Sequence, residues 1–356
     1  MKQGWEIKKL TDVCSIQYGC PFDASLFSTS KTEGMPLIRI RDVKGGKTET
    51  YYTGSYTPEF IIHNGDYLIG MDGEFNIAPW QSEDALLNQR VCKIDSKSSD
   101  VTIQFVYRFL TKELKRIEDD TPFATVKHLS AKRLNQVHLS VPPLPEQERI
   151  VSELDLISGV IDKKKQQLKE LDSLAQSIFY EMFGNPVEND KGWETAKVID
   201  VVKLQRGYDL PTNDRVQSGD IPVWGSNGIV GYHNMSKIDF GIITGRSGTL
   251  GTVYSYDKPF FPLNTTLFSI DTHGNDIVYL RFLLNAYDLK RFGTGTGVPT
   301  LNRNTFHSEK IINVPLYLQQ EFASKIESIE KQKELIKQSL KDTETLFNSR
   351  MDFYFN

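Results

Sequence analysis

The segment GWEIKKLTDVCSIQYG at residues 4–19 recurs as GWETAKVIDVVKLQRG at residues 192–207. The two stretches align without gaps and share Gly, Trp, Glu, Lys, Asp, Val, Gln and Gly at matching positions. Three more pairs follow in the same order: LNQRVCKID at 87–95 with LNTTLFSID at 263–271, RFL at 108–110 with RFL at 281–283, and VPPLPEQE at 141–148 with VPLYLQQE at 314–321. Four matches in one order indicate two copies of a single domain whose loops differ in length.

Each copy ends in a segment with the spacing of a coiled coil. Apolar residues recur at alternating intervals of four and three, and the second pattern follows the first by a constant 172 residues. Proline residues before the first segment, and Gly184 and Pro186 after it, mark the start and end of a helix. The predicted seam residues are Ile150, Leu154, Ile157, Ile161, Leu168, Leu171, Ile178, Phe322, Ile326, Ile329, Ile336, Leu340 and Phe347. Two equal seams favour mutual pairing of the helices, and the alternative is that each helix packs on its own domain.

The rest of each copy has the pattern of a mixed domain that is mostly β. Short apolar runs such as MPLIRI, GDYLIGM, FGIITG and TLFSID are bounded by turn residues, and one helix per copy is expected at about residues 101–118 and 277–292. The predicted fold class is therefore α+β, with two similar mixed α/β domains that are each followed by a long helix. We place the first domain at residues 1–142, the first helix at 143–185, the second domain at 186–315 and the second helix at 316–356.

The composition is typical of a soluble globular protein, with 39% hydrophobic and 25% charged residues. No apolar run reaches the roughly 18 residues of a membrane helix, and the amino terminus lacks a signal-peptide core. Cys14, Cys20 and Cys92 have no metal-ligand spacing, which suits reduced thiols in the cytoplasm. The net charge is −4, and the acidic excess falls in the two helical segments, so the large domains are neutral overall. Tight nonspecific binding to nucleic acid through phosphates alone is not expected.

Motifs of DNA-modifying catalysts are missing from the sequence. It has no phosphate-binding P-loop, no Asn-Pro-Pro-aromatic motif of adenine methyltransferases and no Pro-Asp…Glu-x-Lys nuclease core. Asp72 and Glu74 could form a carboxylate pair, but the corresponding stretch of the second copy reads RSGTLG. We therefore interpret Asp72 and Glu74 as turn residues, and we expect neither a catalytic residue nor a metal site.

Several of these motifs together resemble one known family. VPPLPEQERIV before a long helix, IPVWGSNGIVGY, GTGVPTLN and the opening GW…L.DV…G are similar to the specificity subunit of type I restriction–modification enzymes. The resemblance covers essentially the whole chain and implies two target recognition domains whose spacer helices form an antiparallel coiled coil. The sequence departs from the pattern in VPLYLQQE, which lacks the Leu-Pro-Glu-Gln of the first copy.

The resemblance also implies partners and a task. The chain would recognise a bipartite double-stranded DNA target with an unread gap. It would join two adenine methyltransferase subunits and two restriction and translocase subunits in the cytoplasm, with no membrane involved. No cofactor is expected on this chain, whereas S-adenosylmethionine, ATP and magnesium would bind the partners. Two alternatives remain open: an enzyme that acts on DNA by itself, and a coiled-coil scaffold that binds other proteins.

The candidate base-reading residues have side chains that can form hydrogen bonds to base edges. Several of them lie on segments that match between the copies but differ in residue type, as expected if the domains read different bases. The candidates are Arg39, Arg41, Lys44, Gln89, Arg90, Lys127, His128, Ser226, Asn227, Arg246, Thr265, Thr266, Asn302, Arg303 and Asn304. Arg39 and Arg41 alternate with isoleucines and could instead cover the solvent face of a strand. Asn88 and Asn264, identical in the sequence alignment, suit a structural role, and Trp5 and Trp193 suit packing.

Overall fold

The computed structural model describes residues 4–122, 127–295 and 299–356. The chain divides into two compact units, one comprising the residues up to Lys163 together with Leu340–Asn356, and the other Lys164–Ser339. The division falls inside both of the long helices, so each unit contains part of each helix.

The first unit combines a four-stranded antiparallel sheet with a five-stranded mixed sheet and a two-stranded pair. The strand orders are β2-β10-β7-β8, β3-β5-β4-β9-β6 and β1-β11. The strands are β1 Glu6–Lys9, β2 Cys14–Tyr18, β3 Phe27–Ser28, β4 Met35–Ile38, β5 Tyr51–Tyr52, β6 Ile61–Ile62, β7 Tyr67–Gly70, β8 Asn76–Pro79, β9 Ala85–Leu87, β10 Val91–Ser96 and β11 His138–Val141. The helices are α1 Leu10–Val13, α2 Ile40–Val43, α3 Ile103–Asp119 and α4 Ala131–Asn135, with 3-10 turns at Ala24–Leu26 and Pro58–Phe60.

The long helices α5 and α9 have the same length. Helix α5 spans Leu144–Phe183 and α9 spans Leu316–Phe355, 40 residues each. Each begins at a leucine that follows a proline, and the carbonyl of that proline, Pro143 or Pro315, accepts a hydrogen bond from the backbone N–H four residues later.

The second unit repeats the plan of the first. Its sheets have the orders β13-β19-β16-β17, β15-β14-β18, β12-β22 and β20-β21. The strands are β12 Thr195–Lys197, β13 Lys203–Arg206, β14 Ile221–Gly225, β15 Gly228–His233, β16 Gly241–Gly245, β17 Val253–Tyr256, β18 Phe261–Pro262, β19 Thr266–Asp271, β20 Gly293–Thr294, β21 Thr300–Leu301 and β22 Lys310–Ile312. The helices are α6 Val198–Val201, α7 Ile277–Ala286 and α8 Arg303–Ser308, with 3-10 turns at Thr212–Asp214 and Leu289–Phe292.

These elements confirm the predicted α+β class and the internal repeat. The predicted helices are present as α3 and α7, but α7 ends at Ala286, and Asp288 adopts a left-handed conformation before the following 3-10 turn. The interpretation of Arg39 and Arg41 as a strand face is wrong, because β4 ends at Ile38 and Arg39 directly precedes α2.

The main core of each unit includes residues of both long helices. In the first unit, Ile150 and Leu154 of α5 and Met351 of α9 are buried with the α3 residues Phe105 and Leu110. The second unit buries Phe179 and Phe183 of α5 with Phe322 and Ile326 of α9. Burying an apolar side chain of this size stabilises a fold by roughly 1.5–3 kcal/mol. The long helices are therefore part of the domain cores.

The two long helices pair in the antiparallel sense within each unit. In the first unit, Arg149 Nη2 lies 3.2 Å from the Tyr354 hydroxyl, and Glu153 accepts hydrogen bonds from Arg350. In the second unit, the Lys164 ammonium lies 2.7 Å from the Ser339 hydroxyl, and that of Lys333 lies 2.7 Å from the Asp172 carboxylate. Residue numbers fall along α9 as they rise along α5, which is the predicted antiparallel arrangement.

The start of each long helix is tied to its domain by a buried glutamine. The Gln147 amide nitrogen donates to the carbonyls of Asp100 and Pro142, and its oxygen accepts from the Thr102 backbone N–H. Gln319 forms the corresponding bonds, to Val314 O and from Asp276 N–H.

These bonds correct the sequence alignment of the two helix starts. Gln147 corresponds to Gln319, whereas the alignment of VPPLPEQE with VPLYLQQE pairs it with Gln320. With the corrected spacing, Pro143-Leu144 matches Pro315-Leu316, so the departure at the second helix start is confined to Tyr317 and Leu318 in place of Pro145 and Glu146.

The packing interpretation of the two tryptophans is confirmed. Trp5 contacts Phe105 edge to face, with ring centroids 6.4 Å apart. The Trp193 indole N–H donates to the Phe183 carbonyl at the end of α5. Both side chains thus fasten the first strand of a domain to its core.

None of the three cysteines forms a disulfide. Burial raises the pKa of the Cys14 thiol and of the Cys92 thiol to about 12. Because the thiolate is the reactive form, these two cysteines behave as core side chains.

Candidate nucleic-acid interface

Three segments of the first unit meet at the loop between β7 and β8. Met71 N–H donates to the Arg90 carbonyl, which lies in the turn between β9 and β10. Gly73 N–H donates to the Lys127 carbonyl, and Leu129 N–H donates to the Met71 carbonyl. The hairpin loop, the β9–β10 turn and the segment before α4 therefore form one surface.

The second unit builds the same arrangement between β16 and β17. Arg246 N–H donates to the Thr265 carbonyl in the turn before β19. Gly248 N–H donates to the Pro299 carbonyl, and Leu301 N–H donates to the Arg246 carbonyl. Every backbone hydrogen bond of the first site has a counterpart here.

These bonds match Asp72 with Ser247, Arg90 with Thr265, and His128 with Thr300. The positive φ of Gly73, +73°, likewise matches that of Gly248, +88°. The side chains differ, however: the first unit has a carboxylate, a guanidinium and an imidazole at these positions, and the second unit has three hydroxyl groups. One backbone frame thus carries two different sets of hydrogen-bonding groups.

The sequence alignment is wrong by one residue around the β9–β10 turn. Isolated bridges pair Cys20 with Asn88 and Tyr208 with Leu263, so Asn88 corresponds to Leu263 and Gln89 to Asn264. The cause is a register shift in the pairing of β13 with β19, where Ile270 has no counterpart in β10. The supposed identity of Asn88 and Asn264 is therefore coincidental.

A similar correction applies to the segment before the short helix. The alignment of TVKH with TLNR pairs His128 with Arg303, whereas the hydrogen bonds pair it with Thr300. Thr125 and Val126, which belong to the first of these segments, lie outside the described residues.

A fourth segment reaches the site in each unit from the end of a parallel strand. In the first unit, α2 and the following Lys44 occupy this position, and Lys44 forms a 3.0 Å ion pair with Glu74 of the hairpin loop. In the second unit, β14 leads into a tight turn at Ser226 and Asn227. The Ser226 hydroxyl lies beside Gly248 of the loop between β16 and β17. The carboxyl ends of β4 and β14 therefore point to the same place in their units.

Most candidate residues lie on these four segments with accessible side chains. The exposed or half-exposed candidates on them are Arg39, Arg41, Lys44, Gln89, Arg90, His128, Ser226, Asn227, Arg246 and Thr265. Arg303 and Asn304 follow in α8, where they are half-buried and exposed.

Three candidates form hydrogen bonds within the protein. Thr266 is fully buried, and its hydroxyl donates to the Leu263 carbonyl. Asn302 caps α8 by accepting from the N–H groups of Asn304 and Thr305, while the Lys127 ammonium donates to the Glu118 carbonyl. A buried hydroxyl that already has a partner is not available to bases, so we withdraw Thr266, whereas Asn302 is exposed, uses its side-chain oxygen in the cap and stays a candidate.

Sequence reasoning missed Asp72. It lies in a turn, as predicted, but its carboxylate accepts a hydrogen bond from His128 Nδ1 and lies 3.4 Å from Arg90 Nε. The signal that could have found it is the difference between Asp72 and Ser247 at one corresponding turn position.

The predicted seam residues are all buried or half-buried in the structure. The buried ones are Ile150, Leu154, Ile161, Phe322, Ile326 and Ile329, and the half-buried ones are Ile157, Leu168, Leu171, Ile178, Ile336, Leu340 and Phe347. Exposed leucines such as Leu156 and Leu335 lie off this seam.

Residues 4–122, 127–295 and 299–356 contain no group of three or more His, Cys, Asp or Glu placed to hold a metal ion. Across the described chain, none of the helices combines the length and apolar character needed to cross a membrane.

Comparisons with known proteins agree on one family. The model of the type I restriction modification DNA specificity domain matches twice, at residues 2–173 and 190–344. The type I restriction enzyme EcoBI specificity subunit of Escherichia coli is 37% identical over 199 residues. The MjaIX specificity subunit of Methanocaldococcus jannaschii is 28% identical over 239 residues.

The matched regions are 54% and 59% of this chain, but they span only 42% and 54% of those two relatives. A solved type I restriction–modification S subunit from M. genitalium has a TM-score of 0.62 at 14% identity and covers 99% of this chain and 96% of its own. A chain from a structural study of type I system assembly has a TM-score of 0.58 at 14% identity, with coverage of 100% and 98%. At this level of identity the two structures support the fold.

Proposed function

Since the chain belongs to the type I restriction modification DNA specificity domain family, we propose that its two units are target recognition domains that read a bipartite DNA sequence. Specificity subunits of this family recognise DNA and are not themselves catalysts. In this proposal, residues 1–142 and 186–315 form the recognition domains, and residues 143–185 and 316–356 form the helical spacers.

The observation that supports this function best is the repeated four-segment site with different side chains. A shared backbone frame presents its loops in the same way, while different donors and acceptors select different bases. A catalytic site shared by both copies would instead require the same reactive groups in each. The pair Asp72 and Ser247 has no shared reactive group.

The proposed partners follow from the family. Two adenine methyltransferase subunits would carry S-adenosylmethionine, and two restriction and translocase subunits would carry ATP and magnesium. The complex would act in the cytoplasm on double-stranded DNA and leave a gap between the half-sites unread. The net charge of −4 supports the need for partners, because this chain alone offers little general attraction to phosphates.

The test is to sequence methylated DNA from cells that express the chain with its methyltransferase subunits. We expect a bipartite methylated motif. Arg90→Ala should relax one half of the motif, while the matched control Lys115→Ala, which removes an exposed cation of α3, should leave both halves unchanged. A motif without a gap, or the absence of any sequence-specific methylation, would refute the proposed function.

A further inference from the structure

One carboxylate in the first recognition site joins groups from two other segments. Asp72 follows β7 in the hairpin loop, and its side chain is only 18% exposed. It accepts a hydrogen bond from His128 Nδ1, and its second oxygen lies 3.4 Å from Arg90 Nε. Arg90 and His128 come from the β9–β10 turn and the segment before α4, so Asp72 connects all three segments through side chains.

The contact with the carboxylate places a hydrogen on one nitrogen of the His128 imidazole. An ionised carboxylate can only accept hydrogen bonds, so His128 Nδ1 must carry the hydrogen. Nε2 is then an acceptor in the neutral ring or a donor in the charged ring. The contact with Asp72 thereby restricts both the ring orientation and the hydrogen-bonding options of the outer nitrogen.

The same carboxylate limits the freedom of Arg90. It lies beside Nε, so the two terminal Nη groups of the guanidinium remain available to a ligand. The side chains of Arg90 and His128 are 52% and 49% exposed, which leaves their outer atoms accessible. A paired guanidinium loses less conformational freedom on binding than a free one, and it can still contact guanine through two nitrogens.

The backbone of the loop does not depend on this carboxylate. Asp72 and His128 are already paired by a backbone bridge, and Gly73 N–H donates to the Lys127 carbonyl. The second unit keeps the corresponding backbone pairing between Ser247 and Thr300 without a carboxylate. Asp72 therefore has a role beyond holding the turn.

We propose that Asp72 is a positioning residue that orients Arg90 and His128 for base recognition in the first half-site. This inference rests on the proposed function. Asp72 itself contacts no base in this proposal, since it acts through Arg90 and His128. At the three corresponding positions the second domain has the hydroxyl groups of Ser247, Thr265 and Thr300 and no carboxylate.

The experiment uses the full chain with its methyltransferase subunits and reads the methylated motif by sequencing. Asp72→Ala should reduce discrimination by roughly tenfold at the base pairs that Arg90 and His128 read, the size expected for one well-placed contact. The second half-site should keep its sequence. Arg90→Ala and His128→Ala should relax positions in the same half-site. The double variant Asp72→Ala with His128→Ala should relax the base pair that His128 reads no further than His128→Ala alone.

Controls separate positioning from folding and from the proposed function. Ser247→Ala, the matched change in the second domain, should leave the first half-site unchanged. Asp72→Asn keeps the shape and one acceptor oxygen but removes the charge, so it should relax the Arg90 position more than the His128 position. If Asp72→Ala unfolds the domain, as thermal melting would show, Asp72→Asn decides the question.

Two outcomes would overturn the inference. One is an unchanged motif in the Asp72 variants when Arg90→Ala or His128→Ala relaxes it. The other is relaxation of both half-sites to the same extent by Asp72→Asn, which would indicate a general structural defect. Failure of the proposed function is distinguishable, because the unmodified chain would then give no bipartite motif at all.

Discussion

Two adjacent threonines in the second unit have opposite environments. Thr266 is fully buried and donates to the Leu263 carbonyl, whereas Thr265 is half-exposed in the turn that corresponds to Arg90. We expect Thr266→Val to lower the free energy of unfolding by about 1 kcal/mol, because a buried hydrogen bond is lost, without changing the recognised sequence. Thr265→Val should leave the free energy of unfolding nearly unchanged and relax the sequence of the second half-site. Unfolding in urea and sequencing of methylated DNA measure the two effects, and a change of motif in Thr266→Val would contradict the assignment.

His307 gives the second unit a dependence on pH. Its Nε2 accepts a 3.0 Å hydrogen bond from Leu204 N–H, which requires a neutral ring. Burial lowers the pKa of His307, and the positive charges of Arg303 and Lys203 lower it further. The unfolded chain therefore takes up the proton at higher pH than the folded chain, so this contribution to stability is present above about pH 6.5 and is lost as the pH falls through the lower folded value.

The measurement is the free energy of unfolding between about pH 7.5 and pH 5. The unmodified chain should lose stability over this range through His307, because only the unfolded chain takes up the proton readily. His307→Gln, which retains an acceptor for Leu204, should remove that loss, whereas His138→Gln at an exposed position should not. An identical pH dependence in the chain and in His307→Gln would show that another group is responsible.

At the scale of elements, a single buried glutamine joins the start of α5 to the start of α3. Gln147 satisfies the carbonyls of Asp100 and Pro142 and the N–H of Thr102. Gln147→Ala leaves these groups without partners, and we expect a loss of about 2–4 kcal/mol from the free energy of unfolding. Gln166→Ala, on the exposed face of the same helix, should change stability by less than about 0.5 kcal/mol. Equal effects of the two substitutions in urea-induced unfolding would contradict the role of Gln147.

The length of the paired helices should set the gap between the half-sites. Inserting four residues after Gln166 and four after Gln338 adds about 6 Å to each helix and keeps the apolar seam close to its original face. The gap should then lengthen by roughly one or two base pairs with both half-sites unchanged.

Insertions of two residues at the same points are the control. They move the seam to the wrong face of each helix and should destabilise the protein. The methylated motif measures the gap in each variant. An active four-residue variant with its original gap would show that the helices do not act as a ruler.

At the scale of the whole molecule, the net charge of −4 limits what the chain does alone. We expect the isolated chain neither to methylate nor to cleave DNA, and to bind random duplex weakly at about 150 mM salt. Adding the methyltransferase subunits should give nanomolar-range specific binding that weakens steeply with salt. Methylation by the purified chain with the methyl donor alone would contradict its assignment as a recognition subunit.

The sequence was sufficient for the features that depend on local periodicity and on repetition. The two copies, the α+β class, the helices α3 and α7 and the seam from Ile150 onward all follow from spacing along the chain. The prediction of a seam with one apolar residue in every three or four is robust, because a shift of one residue would turn the whole apolar stripe away from the partner helix.

Tertiary structure alone decided which residues correspond between the copies. A single extra residue, Ile270, shifts the alignment by one, and identity at Asn88 and Asn264 concealed the shift. Likewise, Thr265 and Thr266 cannot be distinguished in the sequence, since burial depends on which residue enters β19. The contacts of Asp72 with Arg90 and His128 join residues far apart in the chain, and no local pattern carries information about such pairs. Backbone hydrogen bonds between segments established these correspondences, because they join residues that are neighbours in space whatever their separation along the sequence.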